Sequence, residues 1–356
     1  MHRDARLLPE TDPTPIFEFY RGSYGTELLL VALHDFRIFV RLAHQPRPFD
    51  ELAAEAGLST RAANVLVTAL RAMKLVDCDA HGYLNLTAMA REHMLPTGAF
   101  YVGDYLGLSA DAPGVREMAE RLGTGRPAGQ KPDEAGAAFI YRDGLASAME
   151  SEASARAFTL ALAGRARNVA PHLAAAMPLE GARVLLDVGG GTGIYSIACA
   201  ARWPDLRCVV WDRPEVLKVA TDMIAEYGAT RVELAPGDMF RDPFPVEADA
   251  ILLSNILHDW DVPEISQLLG RCADALVPGG IVAIHDVYLN DSLDGPLPVA
   301  LYSAALFGFT EGRAYSAGEY RALLADVGLV ADVPVVPTLI HCGLLIARKP
   351  DPEEYA

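Results

Sequence analysis

The residues best placed to do chemistry are one histidine and a series of acids that follow a glycine cluster. Val184-Leu-Leu-Asp-Val-Gly-Gly-Gly-Thr-Gly193 runs an apolar strand into a glycine-rich turn and then into a helix. Glycine lets the backbone approach a ligand with no Cβ in the way, and the start of a helix offers free N–H groups to a polar or acidic group. Asp187 precedes the glycines, where a dinucleotide-binding turn ordinarily has no acid. A carboxylate there suits a ligand with an ammonium rather than a pyrophosphate. Asp212 ends the next apolar run, Cys208-Val-Val-Trp-Asp212, where a carboxylate can accept from both hydroxyls of a ribose. Gly237-Asp-Met-Phe240 follows a third short run at Val232–Leu234; Asp238 can accept from an adenine amino group there while Met239 or Phe240 packs on the ring. Asn255-Ile-Leu-His-Asp-Trp260 comes after the apolar run Ala250–Leu253, past the carboxyl end of a strand, where open α/β sheets bind their ligands. Of the 9 histidines, His258 alone holds that position relative to the other motifs. Its imidazole titrates near neutrality and can take a proton.

The elements that must hold these motifs are written in the apolar spacing. After Gly181, short apolar runs at Val184–Val188, Cys208–Trp211, Ala250–Leu253, Ile281–His285 and Leu339–Ala347 alternate with helical stretches. The helices are Thr192–Arg202, Pro214–Tyr227 and Pro263–Leu276, the last closed by the stop Val277-Pro-Gly-Gly280. This alternation predicts an α/β fold, a mostly parallel sheet with helices on both faces. A late pair, Val330–Pro334 and Leu339–Ala347, predicts an antiparallel edge. Before residue 123 the spacing is helical. Tyr24–Leu42 carries Leu28, Val31, Ala32, Phe36 and Phe39 at helical intervals, Pro48–Ala56 reads as a helix, and Ser59 can cap Thr60–Met73. Val76–Leu86 then reads as a two-stranded wing turning at His81-Gly82, with Thr87 capping a further helix. Helix, turn, helix, wing is a winged-helix pattern. As a DNA reader it is poorly equipped, because its second helix offers only Arg61, Arg71 and Lys74 and the wing adds Asp77 and Asp79. Packing or dimerisation is the better use. Gly123–Gly136 predicts a surface loop.

Composition bounds the rest. The 356 residues exceed one typical domain, and 51% hydrophobic with 22% charged residues is ample for a packed core. The division expected is residues 1–105 as a winged-helix-like dimerisation domain, 106–180 as a helical linker region and 181–356 as the catalytic domain. A net charge of −17 argues against nucleic acid and anionic lipid as partners. No apolar stretch approaches the ~20 residues of a membrane span, and no apolar signal core follows Met1, so a cytoplasmic protein with no membrane partner is expected. The 5 cysteines are scattered without a CxxC pair, so neither a disulfide framework nor a thiolate metal site is expected.

Taken in order, Asp187–Gly193, Asp212-Arg-Pro-Glu-Val216, Gly237–Phe240, Leu257-His-Asp-Trp260 and Pro278-Gly-Gly280 resemble the catalytic domain of the class I, S-adenosylmethionine-dependent small-molecule O-methyltransferases. The whole chain is similar to the dimeric family that includes plant caffeate and flavonoid enzymes, acetylserotonin methyltransferase and bacterial polyketide-tailoring enzymes. The resemblance implies a Rossmann-like methyltransferase sheet with an N-terminal α-helical winged-helix domain that forms a homodimer. It implies S-adenosylmethionine as cofactor, S-adenosylhomocysteine as product, and no metal. Gly189, Asp212, Asp238 and Met239 would contact the cofactor, as would Ser254, which stands where plant members often carry a lysine.

Methyl transfer from a sulfonium is a nucleophilic displacement, and a phenol is a poor nucleophile until it loses its proton. His258 matches the family's general base, and alignment of donor and acceptor supplies much of the remaining rate enhancement. Plant members orient this histidine with two glutamates. Here Asp286 stands near the first position, while Ala314 occupies the second and Glu311 lies nearby as a substitute. Met149, Phe158, Leu162, Tyr302, Phe307 and Phe309 sit in segments that line the acceptor pocket in the family, and Asn255 beside the base can bond a group flanking the acceptor hydroxyl. The expected partner is a small, hydroxylated, aromatic molecule. Two other readings compete: N- or C-methylation or non-methyl chemistry on the same cofactor, and a winged-helix regulator that senses S-adenosylmethionine.

Overall fold

The computed structural model describes residues 2–125 and 152–351. Its two compact units interleave along the chain, whereas the segments expected from the sequence are consecutive. One unit gathers the described residues of Met1–Pro15, Tyr141–Tyr288 and Ala317–Ala356; the other gathers those of Ile16–Ile140 and Leu289–Ser316.

The first stretch of chain holds α1 (Thr14–Arg21), α2 (Ser23–Leu30), α3 (Ile38–Ala43), β1 (Arg47–Pro48), α4 (Phe49–Ala56), α5 (Thr60–Ala72), β2 (Val76–Cys78), β3 (Tyr83–Leu86), α6 (Ala88–His93), α7 (Gly103–Leu106) and α8 (Pro113–Thr124). After it come α9 (Glu152–Ala176), β4 (Val184–Val188), α10 (Ile194–Arg202), β5 (Arg207–Asp212), α11 (Pro214–Tyr227), β6 (Val232–Pro236), β7 (Ala248–Ser254), α12 (Val262–Ala275) and β8 (Leu276–Leu289). The chain ends with α13 (Leu297–Phe309), β9 (Tyr315–Ser316), α14 (Ala317–Asp326), β10 (Val336–Pro337) and β11 (Cys342–Arg348).

In the unit that begins at Ile16, the single helix expected over Tyr24–Leu42 is broken. A π turn at Val31–Asp35 and a left-handed Arg37, at φ 50°, separate α2 from α3. Both pieces bury their apolar residues, so the spacing runs on across the break. Ser59 and Thr87 cap α5 and α6 by accepting from Ala62 N–H and Ala90 N–H, both at 3.2 Å. β3 pairs antiparallel with both β1 and β2. α13 packs against α5. Arg61 of α5 donates to the carbonyls of Thr310 and Gly312 at 3.1 Å, and its guanidinium lies 4.2 Å from the centre of the Phe307 ring. A cation there meets the negative end of α13.

The other unit is built on a sheet ordered β10-β11-β8-β7-β4-β5-β6. From β8 to β6 every pairing is parallel, while β11 runs antiparallel to β8 and β10 antiparallel to β11. β4, β5, β7 and β8 are buried on both faces, which is why they read as continuous apolar runs rather than alternating ones. Two expectations need correction. α12 does end just before Val277-Pro-Gly-Gly280, but that segment is not a turn: it lies in β8, because Gly279 N–H donates to Lys349 O and Lys349 N–H to Gly280 O, extending the pairing into it. Val330–Pro334 adds only one bridge, Val330 to Arg348; the strand facing β11 is Val336–Pro337.

From β4 the chain moves outward to β5 and β6 and then returns to β7 on the other side of β4. That reversal opens a crevice at the carboxyl ends of β4 and β7, the usual ligand site of such sheets. No helix among the described residues is long and apolar enough to cross a membrane.

Candidate active site

Four strand ends meet at that edge. β4 runs into the glycine turn, β5 ends in Asp212, β6 leads to Asp238, and β7 ends in Ser254 ahead of His258. Glycine is required in the turn for two different reasons. Gly189 has φ 65° and a Cβ on it would lie 2.4 Å from Ile256 Cδ1, while a Cβ on Gly190 would lie 2.7 Å from the Asp187 carboxyl carbon. The turn is therefore pressed against the loop that carries His258 and against its own acid.

Asp187 is fully buried; its Oδ2 accepts from the Ser196 hydroxyl at 2.7 Å, and its Oδ1 has no hydrogen-bond partner. Burial pushes its pKa up to about 7, against the Ser196 bond and with help from the charge of Asp212. Asp212 accepts from Gly191 N–H at 2.8 Å and from Arg213 N–H at 2.7 Å. Burial raises its pKa to about 6 even so. A buried acid with one unmatched oxygen, beside a second acid, favours a ligand that brings a positive charge. Asp238 is placed differently: one oxygen accepts from Phe240 N–H at 2.9 Å and the other pairs with Arg213 at 3.1 Å. Met239 beside it is half-buried. Phe240 packs edge-on against Trp260, ring centres 4.6 Å apart, joining this motif to the histidine loop.

His258 sits in a single 3₁₀ turn, Leu257–Asp259, and is 3% exposed. Its Nδ1 is 2.5 Å from Asp286 Oδ1. Asp286, on β8, also accepts from Val287 N–H at 2.8 Å and from the Tyr320 hydroxyl at 3.3 Å. With the carboxylate ionised, Nδ1 carries the ring proton and Nε2 keeps the lone pair. Asp259 Oδ1 lies 3.6 Å from Nε2. Burial works against charging the ring, but Asp286 and Asp259 together outweigh it, so the His258 pKa is raised. The arrangement suits a base that accepts a proton at Nε2.

On the opposite face of β8, His285 Nδ1 is 2.8 Å from Ser254 Oγ, and its Nε2 is 3.0 Å from Thr338 Oγ1. Burial, and then the nearby Arg165 cation, lower its pKa to about 3. Asn255 is engaged at both ends: Nδ2 donates to Ser254 Oγ at 3.1 Å and Oδ1 accepts from Arg165 Nη1 at 2.9 Å. The sheet unit thus brings together Gly189, Asp212, Asp238, Met239, Ser254, Asn255, His258 and Asp286. Leu162 is on α9 in the same unit and 53% exposed. Tyr302 and Phe309 belong to α13 in the other unit, Tyr302 beneath the Arg21 guanidinium at 3.8 Å, and Glu311 follows that helix. Phe307 is fully buried there. Met149 lies outside the described residues, as does the side chain of Phe158. The sequence reading missed Arg165, Tyr320 and Thr338. Their partners are 90, 34 and 53 positions away, so no local motif announces them.

A sheet of this order, with a glycine turn and a buried His–Asp pair at its carboxyl edge, defines an α/β enzyme of the nucleotide-fold class. Residues 136–330 match the O-methyltransferase domain family. The chain is 34% identical to the 3-hydroxy-5-methyl-1-naphthoate 3-O-methyltransferase of Streptomyces sahachiroi over 89% of each chain. It is 30% identical to the acetylserotonin O-methyltransferase of Bos taurus, over 93% of this chain and 96% of that one. The solved structure of an O-methyltransferase family 2 protein from Planctomyces limnophilus in complex with apigenin shares 43% identity and superposes with a TM-score of 0.87, covering 98% of this chain and 99% of the other. The chain belongs to this O-methyltransferase family, whose members are S-adenosylmethionine-dependent methyltransferases.

The His258–Asp286 pair makes a direct prediction. Asp286→Asn keeps the shape and removes the charge, so the His258 pKa should fall by about one unit or more. An NMR titration of the His258 ring measures it; an unchanged midpoint would show that Asp286 does not govern the charge of His258.

Proposed function

We propose that this chain transfers the methyl group of S-adenosylmethionine to a hydroxyl of a small aromatic metabolite, with His258 as general base. The observation that carries this reading is the buried 2.5 Å contact from His258 Nδ1 to Asp286 Oδ1. It fixes the tautomer, leaves Nε2 able to accept a proton, and stabilises the imidazolium that results. A hydroxyl acceptor needs that service, because it must lose its proton to become a good nucleophile. The names of the relatives, a hydroxynaphthoate enzyme and an acetylserotonin enzyme, and the apigenin held by the Planctomyces protein support an aromatic acceptor.

The cofactor edge fits the donor by its own chemistry. Asp187, with an unmatched buried oxygen, suits the amino-acid ammonium end, and Asp212 at the end of β5 suits the ribose hydroxyls. Gly189 and Met239 flank the same edge, and Asp238, already turned by Phe240 and Arg213, offers its remaining acceptor capacity to an adenine amino group. S-adenosylmethionine, when bound, supplies an electrophilic methyl whose leaving group is a neutral thioether. This chain's residues orient the acceptor and take its proton. Ser254 is held by His285 and Asn255, so it serves the site chiefly by fixing the start of the base loop.

The unit that begins at Ile16 is read as a winged-helix dimerisation module. Support comes from the capped α5, the β1-β3-β2 sheet after it, and an apolar surface on α1, where Ile16, Phe19 and Tyr20 are 68%, 83% and 81% exposed. The partner is a second copy of this chain.

Three outcomes are expected. His258→Ala should cut methylation of a hydroxynaphthoate or flavone by at least about 10²-fold while leaving S-adenosylmethionine binding intact; a variant as active as the parent would remove His258 from the chemistry. At pH 6.5, below the raised pKa of about 7, an arriving ammonium should drive the proton from Asp187. Calorimetry in buffers of different ionisation enthalpy should then report proton release, and Asp187→Asn should lose most of it. If both proteins show the same buffer dependence, the ammonium assignment is wrong. Finally, light scattering should give twice the mass of one chain, reduced to one by Phe19→Asp with Tyr20→Asp; a monomeric parent would end the dimer reading.

A further inference from the structure

The mechanism above gives no task to Arg165, yet its guanidinium holds the loop that carries the base. Arg165 projects from α9; Nη1 donates to Asn255 Oδ1 at 2.9 Å and Nη2 lies 2.8 Å from Cys342 Sγ at the start of β11. Asn255 is the first residue after β7 and has φ 56°, a left-handed conformation that asparagine tolerates better than most side chains. Its N–H donates to His285 O at 2.8 Å, and its Nδ2 to Ser254 Oγ at 3.1 Å. The guanidinium therefore takes the one polar atom of the Asn255 side chain that the loop does not satisfy itself. His258 follows three residues later.

Arg165 also bears on the base through its charge. The charged groups facing His258 among the described residues are Asp286 from β8, Asp259 from its own turn, and Arg165 from α9. The two carboxylates favour the imidazolium, and Arg165 is the cation that opposes them. A base flanked by two carboxylates alone would stay protonated at higher pH and so be unavailable to an incoming hydroxyl.

We propose that Arg165 is a positioning residue for the base: it clamps the His258 loop through Asn255 and sets its charge against those of Asp286 and Asp259. This rests on the reading of His258 as general base, and the experiment separates the two. The His258 ring resonances are assigned by their loss in His258→Asn and titrated by NMR in the parent, Arg165→Met and Arg165→Lys, while kcat/KM against pH is measured on a hydroxynaphthoate. In Arg165→Met the His258 midpoint should rise, and the acid limb of kcat/KM should move to higher pH with it. S-adenosylmethionine binding by calorimetry should change less than about threefold. Arg165→Lys, which keeps the charge but not the two-pronged clamp, should titrate close to the parent and lose kcat several-fold. An unmoved His258 midpoint in Arg165→Met overturns the proposal whatever the activity. A risen midpoint with no corresponding move of the kinetic limb sustains the electrostatic role of Arg165 and overturns instead the reading of His258 as the base. If Arg165→Met does not fold, Arg165→Lys decides: a fall in kcat at an unchanged midpoint supports the clamp, and unchanged kcat removes it.

Discussion

The carboxyl edge of the sheet is organised around one buried contact between an imidazole and a carboxylate. A carboxylate withdrawn from water is costly unless its oxygens are matched. Asp286 is fully buried and meets that demand with three donors, His258 Nδ1, Val287 N–H and the Tyr320 hydroxyl. Those bonds constrain the sheet. β7 and β8 must be parallel neighbours, with Ser254 opposite His285, so that the loop leaving β7 drops His258 over the next residue of β8. Side chains alternate along a strand, so a slip of one residue would turn Asp286 away and present His285 in its place. The parallel core of the sheet is thus tied directly to the placement of one proton.

The same loop is braced from the cofactor edge. Ile256 fills the space that a Cβ on Gly189 would need, and Trp260 lies edge-on against Phe240. Residues 255–260 are consequently wedged between the turn after β4 and the turn after β6. Asp187, buried, and Asp212, half-buried, each resist ionisation there, and the charge of Asp212 adds to the resistance of Asp187. A ligand that supplies positive charge and hydroxyl donors relieves that resistance. A ligand with a pyrophosphate would add to it, which separates this edge from a dinucleotide site built on a similar glycine turn.

Much of this was legible in the sequence because the informative signals are local. A glycine turn after an apolar run, an acid at the end of the next run, and Pro214 to Tyr227 between turn residues each describe one strand end or one helix, and α11 spans those same residues. The break between α2 and α3 was not legible, since it falls at Asp35-Phe36-Arg37 with neither proline nor glycine, and both helices bury apolar faces in step. Pro278-Gly-Gly280 marked the end of α12 correctly but hid the strand that follows. Its residue types signal a stop, but pairing with Lys349, far along the chain, recruits it into β8. Arg165 and Tyr320 escaped notice because each sits within a helix and gains its meaning only from a strand or loop that the fold brings alongside. Asp286 could be nominated, by contrast, because the resemblance fixed its strand and its place after His285.

The two buried histidines show what burial decides and what it does not. His258 and His285 are 3% and 0% exposed, and burial disfavours the charged ring in both. Arg165 disfavours it in both as well. Yet the first is raised and the second falls to about 3. The difference lies in the partners. His285 bonds two hydroxyls, Ser254 and Thr338, which satisfy its nitrogens without charge, and the attraction of adjacent Asp286 does not prevail. His258 faces two carboxylates, one of them bonded to its Nδ1, and their attraction exceeds the cost of burying an ion. A ring that anchors a strand is best kept neutral. A ring that must hold a proton while an acceptor reacts, and then release it, needs an anion behind it and a cation near enough to prevent permanent protonation. Both rings feel Asp286 and Arg165, but only His258 has a carboxylate bonded to its ring.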